Sequence, residues 1–136
     1  MTRRARDSVR RRSASAADAR FDDLVLRALD TIPEPFARAL DEVAIVVEEA
    51  PTRQQLRESG LGPEDGLYGL YEGVPLTEYG ADWGFLPSKI TLFRKALVED
   101  FSDPAELEHE VWVTVIHELA HHLGFGEDRL HDLGVD

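Results

Sequence analysis

Apolar side chains recur at helical spacing near the start of this chain, in the region from Asp18 to Asp30. A repeat of three and four residues places such side chains on one face of a helix. The pattern predicts a first helix over 18–30 that Asp18 would cap. Pro33 and Pro35 interrupt the pattern, and FARALDEV at 36–43 predicts a short second helix. The apolar positions of the first helix are Phe21, Leu24, Val25, Ala28 and Leu29.

Three apolar, β-branched or aromatic runs in the middle of the chain predict strands, separated by segments rich in Gly and Pro. The polar connection over 51–66 has room for a short helix around Gln54–Arg57. VPLTEY at 74–79 continues the second strand or turns back from it, and GADWGFLPS at 80–88 is typical of a loop. The predicted strands are AIVVEE at 44–49, LYGLYEG at 67–73 and KITLFRKAL at 89–97.

The segment 104–123 carries two conflicting signals. Its β-branched run at 111–116 favours a strand, because such side chains lose rotamer freedom in a helix. However, Asp103, Pro104 and Glu106 stand where the N-cap, N1 and N3 residues of a helix would be, and Gly124 suits the left-handed residue after its end. Since the apolar residues also recur at helical spacing, we predict a buried central helix over 104–123.

Composition and charge limit the classes of protein. The chain has 136 residues, 43% of them hydrophobic, which predicts one folded domain over 18–136. Residues 1–17 have no apolar periodicity and predict a disordered basic arm: residues 1–20 carry a charge of +5, and the remainder −17. The acidic body argues against nucleic acid as a partner. No apolar run is long enough for a membrane span, so we expect a cytoplasmic protein.

Candidate chemistry lies in His117, Glu118 and His121, which form the pattern H-E-x-x-H. The chain has no Cys, so a transition metal must bind His, Asp or Glu. Residues four apart on a helix lie one turn apart on the same face, so the two imidazoles could share one Zn²⁺ at about 2.0–2.1 Å. The carboxylate of Glu118 would lie beside the metal, where it could take a proton from a metal-activated water.

A third ligand is expected close to the motif. Glu127 completes the spacing H-E-x-x-H-x-x-G-x-x-E, which resembles the metzincin-type pattern, in which a turn at the Gly returns a third ligand to the metal. Asp128 and His131 are the reserves, and Asp132 or an upstream residue is also open. Only 15 residues follow His121, so we do not expect the ligand on a separate helix twenty or more residues downstream, as in gluzincin-like enzymes. Met1 is the sole methionine, which rules out the Met-turn of full metzincins.

Other polar residues near the motif have weaker functional signals. His122 points about 100° away from His121, which predicts a packing or supporting role. Glu110 lies on the His117 face two turns earlier, where it would line a cleft or simply be solvated. Three aromatic residues could stabilise an oxyanion but fit core or strand positions better, so none is assigned that role: Tyr68, Tyr71 and Tyr79.

Three segments together resemble a family of small bacterial zincin-like metallopeptidases, long catalogued as a domain of unknown function. The likeness spans about residues 21–136 and implies a minimal α+β zincin fold, a small mixed sheet packed on helices with the H-E-x-x-H helix beneath it. The family generally has Asp at the position of Glu127 and a basic residue at the position of Tyr79. The segments are GLYGLYEGVPLTE at 66–78, LPSKITLFRKAL at 86–97 and TVIHELAHHLGFGEDRLHDLG at 114–134.

The combined prediction is a zinc-dependent metallopeptidase that hydrolyses peptide or protein substrates, with zinc bound by His117, His121 and Glu127 and with Glu118 as general base. A second hypothesis is a catalytically weak or inactive zincin-fold module that binds metal and acts in protein interaction or regulation. A third is a regulatory peptidase that acts on one repressor protein. Zincins commonly bind substrate along a sheet edge, and 67–73 and 89–94 are both candidates for that edge.

Overall fold

The computed structural model describes residues 15–63, 65–73 and 88–135. Within these ranges it contains six α-helices and a small three-stranded mixed sheet, which confirms the predicted α+β zincin-like class. The predicted segment at 74–79, nearly all of the loop at 80–88 and residues 1–14 of the basic arm lie outside the described residues.

Helix α1, Ala16–Asp30, begins two residues before the predicted start and includes Ala16 and Ala17 of the expected disordered arm. The predicted cap was wrong. Ser15 is the N-cap, and its hydroxyl accepts a hydrogen bond from the N–H of Asp18 at 3.0 Å. Asp18 instead lies in the first turn and contacts Arg94. A carboxylate in the first turn interacts favourably with the positive end of the helix dipole.

The next elements follow the sequence pattern closely. Helix α2, Phe36–Ala39, continues as a 3₁₀ turn, Leu40–Glu42, over most of the predicted second helix. Strand β1 is Ala44–Glu48, and helix α3 is Arg53–Glu58 with a capping box between Thr52 and Gln55. These short elements lead the chain into and away from one edge of the sheet.

The sheet has the order β1-β3-β2, with β2 at Gly69–Glu72 and β3 at Lys89–Phe93. Strand β3 pairs in parallel with β1 and antiparallel with β2. Its side chains from Ile90 to Phe93 are buried on both faces, as expected of a central strand. The structure therefore decides between the two candidate edges: among the described strands β2 is an edge and β3 is not.

The third predicted strand was too long. Its second half belongs to helix α4, Arg94–Asp100, which follows β3 without a break and has no side-chain cap. Arg94 binds the carboxylate of Glu49 through Nε at 3.0 Å and Nη2 at 3.2 Å, which ties the start of this helix to the end of β1. A contact between residues distant in sequence thus marks the change from strand to helix.

Helix α5, Pro104–Leu123, has the predicted bounds and is the central element. The carboxylate of Asp103 accepts from the N–H of Glu106 at 3.1 Å, and Gly124 ends the helix in the left-handed conformation at φ 76°. Val111 and Val115 are fully buried against the rest of the core. Burial of an apolar helix face outweighs the strand propensity of these β-branched residues.

Helix α5 lies between two neighbours: α1 packs along one side, and strand β2 crosses near its C-terminal half. A final short helix, α6, covers Glu127–Leu133 and was not predicted. None of the helices in the described ranges is both long enough and apolar enough to cross a membrane.

Candidate metal and catalytic site

The C-terminal half of α5 presents four polar side chains as two interleaved pairs. His117 and His121 form one pair, and Glu118 and His122 form the other. The members of each pair are four residues apart, so they lie one turn apart on a shared face, and the two faces differ by about 100°. We call them the histidine pair and the Glu118–His122 pair.

The histidine pair has the properties of an incomplete ligand set. Nε2 of His117 is buried and has no hydrogen-bond partner among the described residues. His121 has 62% of its side chain exposed, and its Nδ1 lies 3.4 Å from Oε1 of Glu118. A buried polar atom without a partner is costly, which makes Nε2 of His117 a candidate metal ligand.

Glu118 is mostly buried, with 14% of its side chain exposed. Its Oε1 accepts a hydrogen bond from the main-chain N–H of Tyr71 at 2.8 Å. Burial raises the pKa of this carboxyl group because it disfavours the charged form, while His121, the Tyr71 N–H and His117 act in the opposite direction. A raised pKa makes this carboxyl group a better proton acceptor than an exposed glutamate.

His122 does not face the same space as the histidine pair. It is buried, with Nδ1 3.0 Å from the Tyr71 hydroxyl and Nε2 3.1 Å from Oε1 of Glu42. The Tyr71 hydroxyl also lies 3.2 Å from Oγ of Ser88. These contacts agree with the predicted supporting role of His122.

Strand β2 comes close enough to α5 for the Glu118 contact because Gly69 has no side chain. A Cβ at Gly69 would lie 2.6 Å from Cγ2 of Thr114 and 3.3 Å from the carbonyl oxygen of Thr91. The sequence analysis missed this role, although a Gly inside a strand pattern signals a close backbone approach.

The register of the sheet directs the Tyr71 N–H toward α5. Phe93 N–H donates to the Tyr68 carbonyl, so this pair and every second pair after it are hydrogen-bonded across β2 and β3. Tyr71, opposite Ile90, belongs to the alternate set, whose main-chain groups point away from β3. A one-residue shift would therefore remove the contact with Glu118.

The chain leaves α5 through a turn anchored by aromatic packing. Phe125 N–H donates to the Ala120 carbonyl at 2.8 Å, and the Phe125 ring packs edge-on against Phe36 at 5.9 Å. Glu127 is the first residue of α6 and is exposed. Its negative charge stabilises the N-terminus of this helix. Asp128 and His131, the alternative ligands, are exposed on the same short helix.

The structure brings only part of the predicted ligand set together. His117, Glu118 and His121 share one end of α5, but within the described ranges no three His, Asp or Glu side chains are grouped closely enough to hold a metal. Glu127 is thus not gathered with the histidine pair. The donors still fit zinc chemically, because two imidazoles and carboxylates are ligands that it prefers.

The remaining candidates lie at the margins of the site. Tyr68 donates a hydrogen bond to the Asp100 carboxylate, and this bond, with burial and the charges of Asp100 and Glu110, raises the pKa of Tyr68 to about 12. Glu110 is half-buried near this tyrosine. Tyr79 lies outside the described residues.

Comparison with known proteins identifies the family of the chain. The comparison with curated proteins finds no match. A family model described as zincin-like metallopeptidase matches residues 40–135, which include the whole sheet, α5 and α6. On this match, and in agreement with the α+β fold, the chain belongs to the zincin-like metallopeptidase family.

Proposed function

We propose that this protein is a zinc-dependent peptidase with its active site at the C-terminal half of α5. The observation that carries the proposal is the buried Nε2 of His117, which has no partner among the described residues, beside the mostly buried carboxylate of Glu118. The first atom is a candidate metal ligand, and the adjacent group is suited to move a proton. Membership of the family supports a peptidase at a general level.

His117 and His121 would hold the zinc, and Glu127 would supply the third ligand, with Asp128 as the alternative. When bound, zinc would lower the pKa of a water molecule and polarise the substrate carbonyl. The short turn from Gly124 to Gly126 separates Glu127 from the histidine pair, so a local change at the start of α6 could bring its carboxylate inward.

Glu118 would act as general base and then as general acid. Its carboxylate would accept the proton of the attacking water and later donate it to the leaving amine. Burial, which raises the pKa of this group, favours holding that proton between the two steps. The N–H of Tyr71 would orient Oε1 and leave the second oxygen to face the water.

The substrate would be an extended peptide placed along the outer side of β2. Among the described strands, β2 has no neighbour on that side, and of its outward-pointing main-chain groups the Tyr71 N–H is already bonded to Glu118. Peptides commonly bind such an edge by adding a strand. Glu118, which contacts this edge at Tyr71, would then lie beside the scissile bond.

The decisive experiment combines metal analysis with cleavage assays. Purified full-length protein is expected to bind one zinc per chain and to cleave members of a broad peptide library. Glu118→Gln should retain zinc but lose about 10²–10⁴-fold in turnover, since this is the usual contribution of a general base. His109→Gln, on the same helix but away from the site, is the matched control. Absence of stoichiometric zinc and of cleavage by the wild type would refute the proposal.

A metal-binding module with little or no activity is the second candidate. The exposed position of Glu127, away from the histidine pair, favours it, because two histidines alone give a weaker site. The same experiment separates the two candidates. Bound zinc without cleavage of any library peptide would support the module.

A further inference from the structure

Tyr71 is connected to α5 at two points one turn apart. Its main-chain N–H donates to Glu118, and its phenol hydroxyl meets His122. Glu118 and His122 are four residues apart and therefore lie on one face of the helix. One residue of β2 thus spans both members of the Glu118–His122 pair.

The contact with Glu42 fixes the direction of one hydrogen bond of His122. The carboxylate of Glu42 can only accept, so Nε2 of His122 must carry the proton that it donates. Nδ1 of His122 lies 3.0 Å from the Tyr71 hydroxyl, and a hydroxyl can either donate to this nitrogen or accept from it. The Tyr71 hydroxyl also lies within hydrogen-bond distance of Oγ of Ser88, at 3.2 Å. An outer carboxylate that selects a histidine tautomer is a common supporting arrangement around functional sites.

Burial makes these bonds difficult to replace with water. His122 has 3% of its side chain exposed, whereas Glu42 at the outer end has 47%. A buried imidazole or phenol that loses its partner keeps the desolvation cost of the unpaired group. The phenol ring is therefore held in one orientation, and the main chain of the same residue is held with it.

We infer that Glu42, His122 and the phenol of Tyr71 form a positioning relay that holds the Tyr71 N–H against Glu118. None of the three is a catalytic residue in this assignment: each acts through the next, and the last orients the carboxylate. The catalytic consequence rests on the proposed peptidase function, whereas the structural link does not.

Amide hydrogen exchange tests the link directly. The Tyr71 amide should exchange slowly in the full-length protein, measured without zinc and with saturating zinc. Tyr71→Phe, which keeps the main-chain donor and removes only the hydroxyl, should accelerate this exchange by about tenfold, the loss expected from one hydrogen bond. The amide of Leu70, which faces β3 by the same register, is the internal reference and should not change.

Two variant pairs separate positioning from general loss of structure. His122→Leu should accelerate Tyr71 exchange, whereas His122→Asn, whose carbonyl can accept from the phenol, should restore part of the protection. Glu42→Ala should also accelerate exchange of the Tyr71 amide. Glu42→Gln, which keeps an acceptor, should change this rate much less. His109→Leu removes a histidine from the exposed face of the same helix and should leave the Tyr71 amide unchanged.

The kinetic readout links the relay to catalysis. With a library peptide that the wild type cleaves, Tyr71→Phe and His122→Leu should lower kcat by about 10–100-fold, with KM and zinc affinity unchanged. Unchanged Tyr71 exchange, or equal effects of His122→Leu and His122→Asn, would overturn the relay. If the wild type cleaves nothing, the proposed function fails, and the exchange data alone still decide whether the relay exists.

Discussion

The two pairs on α5 have the same spacing but opposite surroundings. The Glu118–His122 pair is buried and hydrogen-bonded to Tyr71 of strand β2. The histidine pair does not contact β2 in this way: Nε2 of His117 has no partner in the described part of the chain, and His121 is largely exposed, with Nδ1 3.4 Å from Oε1 of Glu118. Helical periodicity places both pairs equally well, so the difference comes from the neighbouring elements.

This contrast explains how two adjacent histidines can have different functions. His121 and His122 are neighbours in sequence but point about 100° apart, one toward solvent and the other into the core beside β2. A residue with all its ring nitrogens hydrogen-bonded to protein is unavailable to a metal. In the described part of the chain, Nε2 of His117 has no such partner, and the ring of His121 is largely exposed. The predictions below disturb each pair separately.

The largest effect should follow from loss of the histidine pair. His117→Ala and His121→Ala are each expected to abolish zinc-dependent stabilisation, which for the wild type amounts to about 2.7 kcal/mol when free zinc is 100 times its Kd. Thermal unfolding with and without zinc measures this, and His109→Ala serves as the control. A zinc-dependent rise in Tm that survives either substitution would place the metal elsewhere.

A second prediction concerns the third ligand. Glu127→Ala should weaken zinc binding by more than the roughly 10–100-fold typical of an outer supporting residue. Asp128→Ala, which removes a neighbouring charge from the same short helix, should have a small effect. Competition with a chelator measures both affinities. The reverse order of effects would assign the ligand to Asp128.

The Glu118–His122 pair depends on the close approach of β2, which Gly69 permits. Gly69→Ala would place a methyl group 2.6 Å from Cγ2 of Thr114. Overpacking of this kind should lower the free energy of unfolding by about 1–3 kcal/mol, measured by urea denaturation. Thr114→Ser removes that methyl group, so the double variant should recover part of the loss. No recovery would show that the contact with Thr91 dominates.

The smallest effect concerns Tyr68, just before β2 and away from both pairs. Its pKa is raised to about 12, mainly by its hydrogen bond to Asp100, so folding favours the protonated phenol. The resulting stabilisation should be complete below the ordinary tyrosine pKa of about 10 and be lost as the pH rises through about 12.

Tyrosinate absorbance measures this titration as the difference between the wild type and Tyr68→Phe. Asp100→Asn should lower the midpoint toward about 10. Glu110→Gln, which removes only a lesser charge contribution, should lower it less. A midpoint that does not respond to Asp100→Asn would assign the raised pKa to burial.

The best sequence predictions rest on local chemistry. The bounds of α5 were correct because Asp103, Pro104 and Gly124 act within a few residues of the helix ends. Spacing alone also placed the two pairs on adjacent faces. The predicted N-cap of α1 was wrong because Ser15 and Asp18 are both residue types that suit this position. The sequence does not show which of the two side chains accepts a hydrogen bond from the first N–H groups of the helix.

The missed elements depend on contacts between distant residues. Helix α4 has no side-chain cap, and the pairing of Arg94 with Glu49 and Asp18 holds its first residue. Helix α6 likewise has no side-chain cap, because its N-cap residue is Gly126, and its Leu130 is buried. Neither segment contains a strong local signal, so periodicity could not identify them.

The sequence by itself determined the α+β class, the central helix and the four polar residues that it presents, because helix caps and spacing are local properties. Only the tertiary structure decided which of those residues are hydrogen-bonded to strand β2 and which are not. Strand β2 reaches α5 at Gly69 and engages Glu118 and His122, while Nε2 of His117 has no partner among the described residues. The physical reason is that hydrogen-bond partners and burial come from elements far apart in the chain, which spacing along one helix cannot specify.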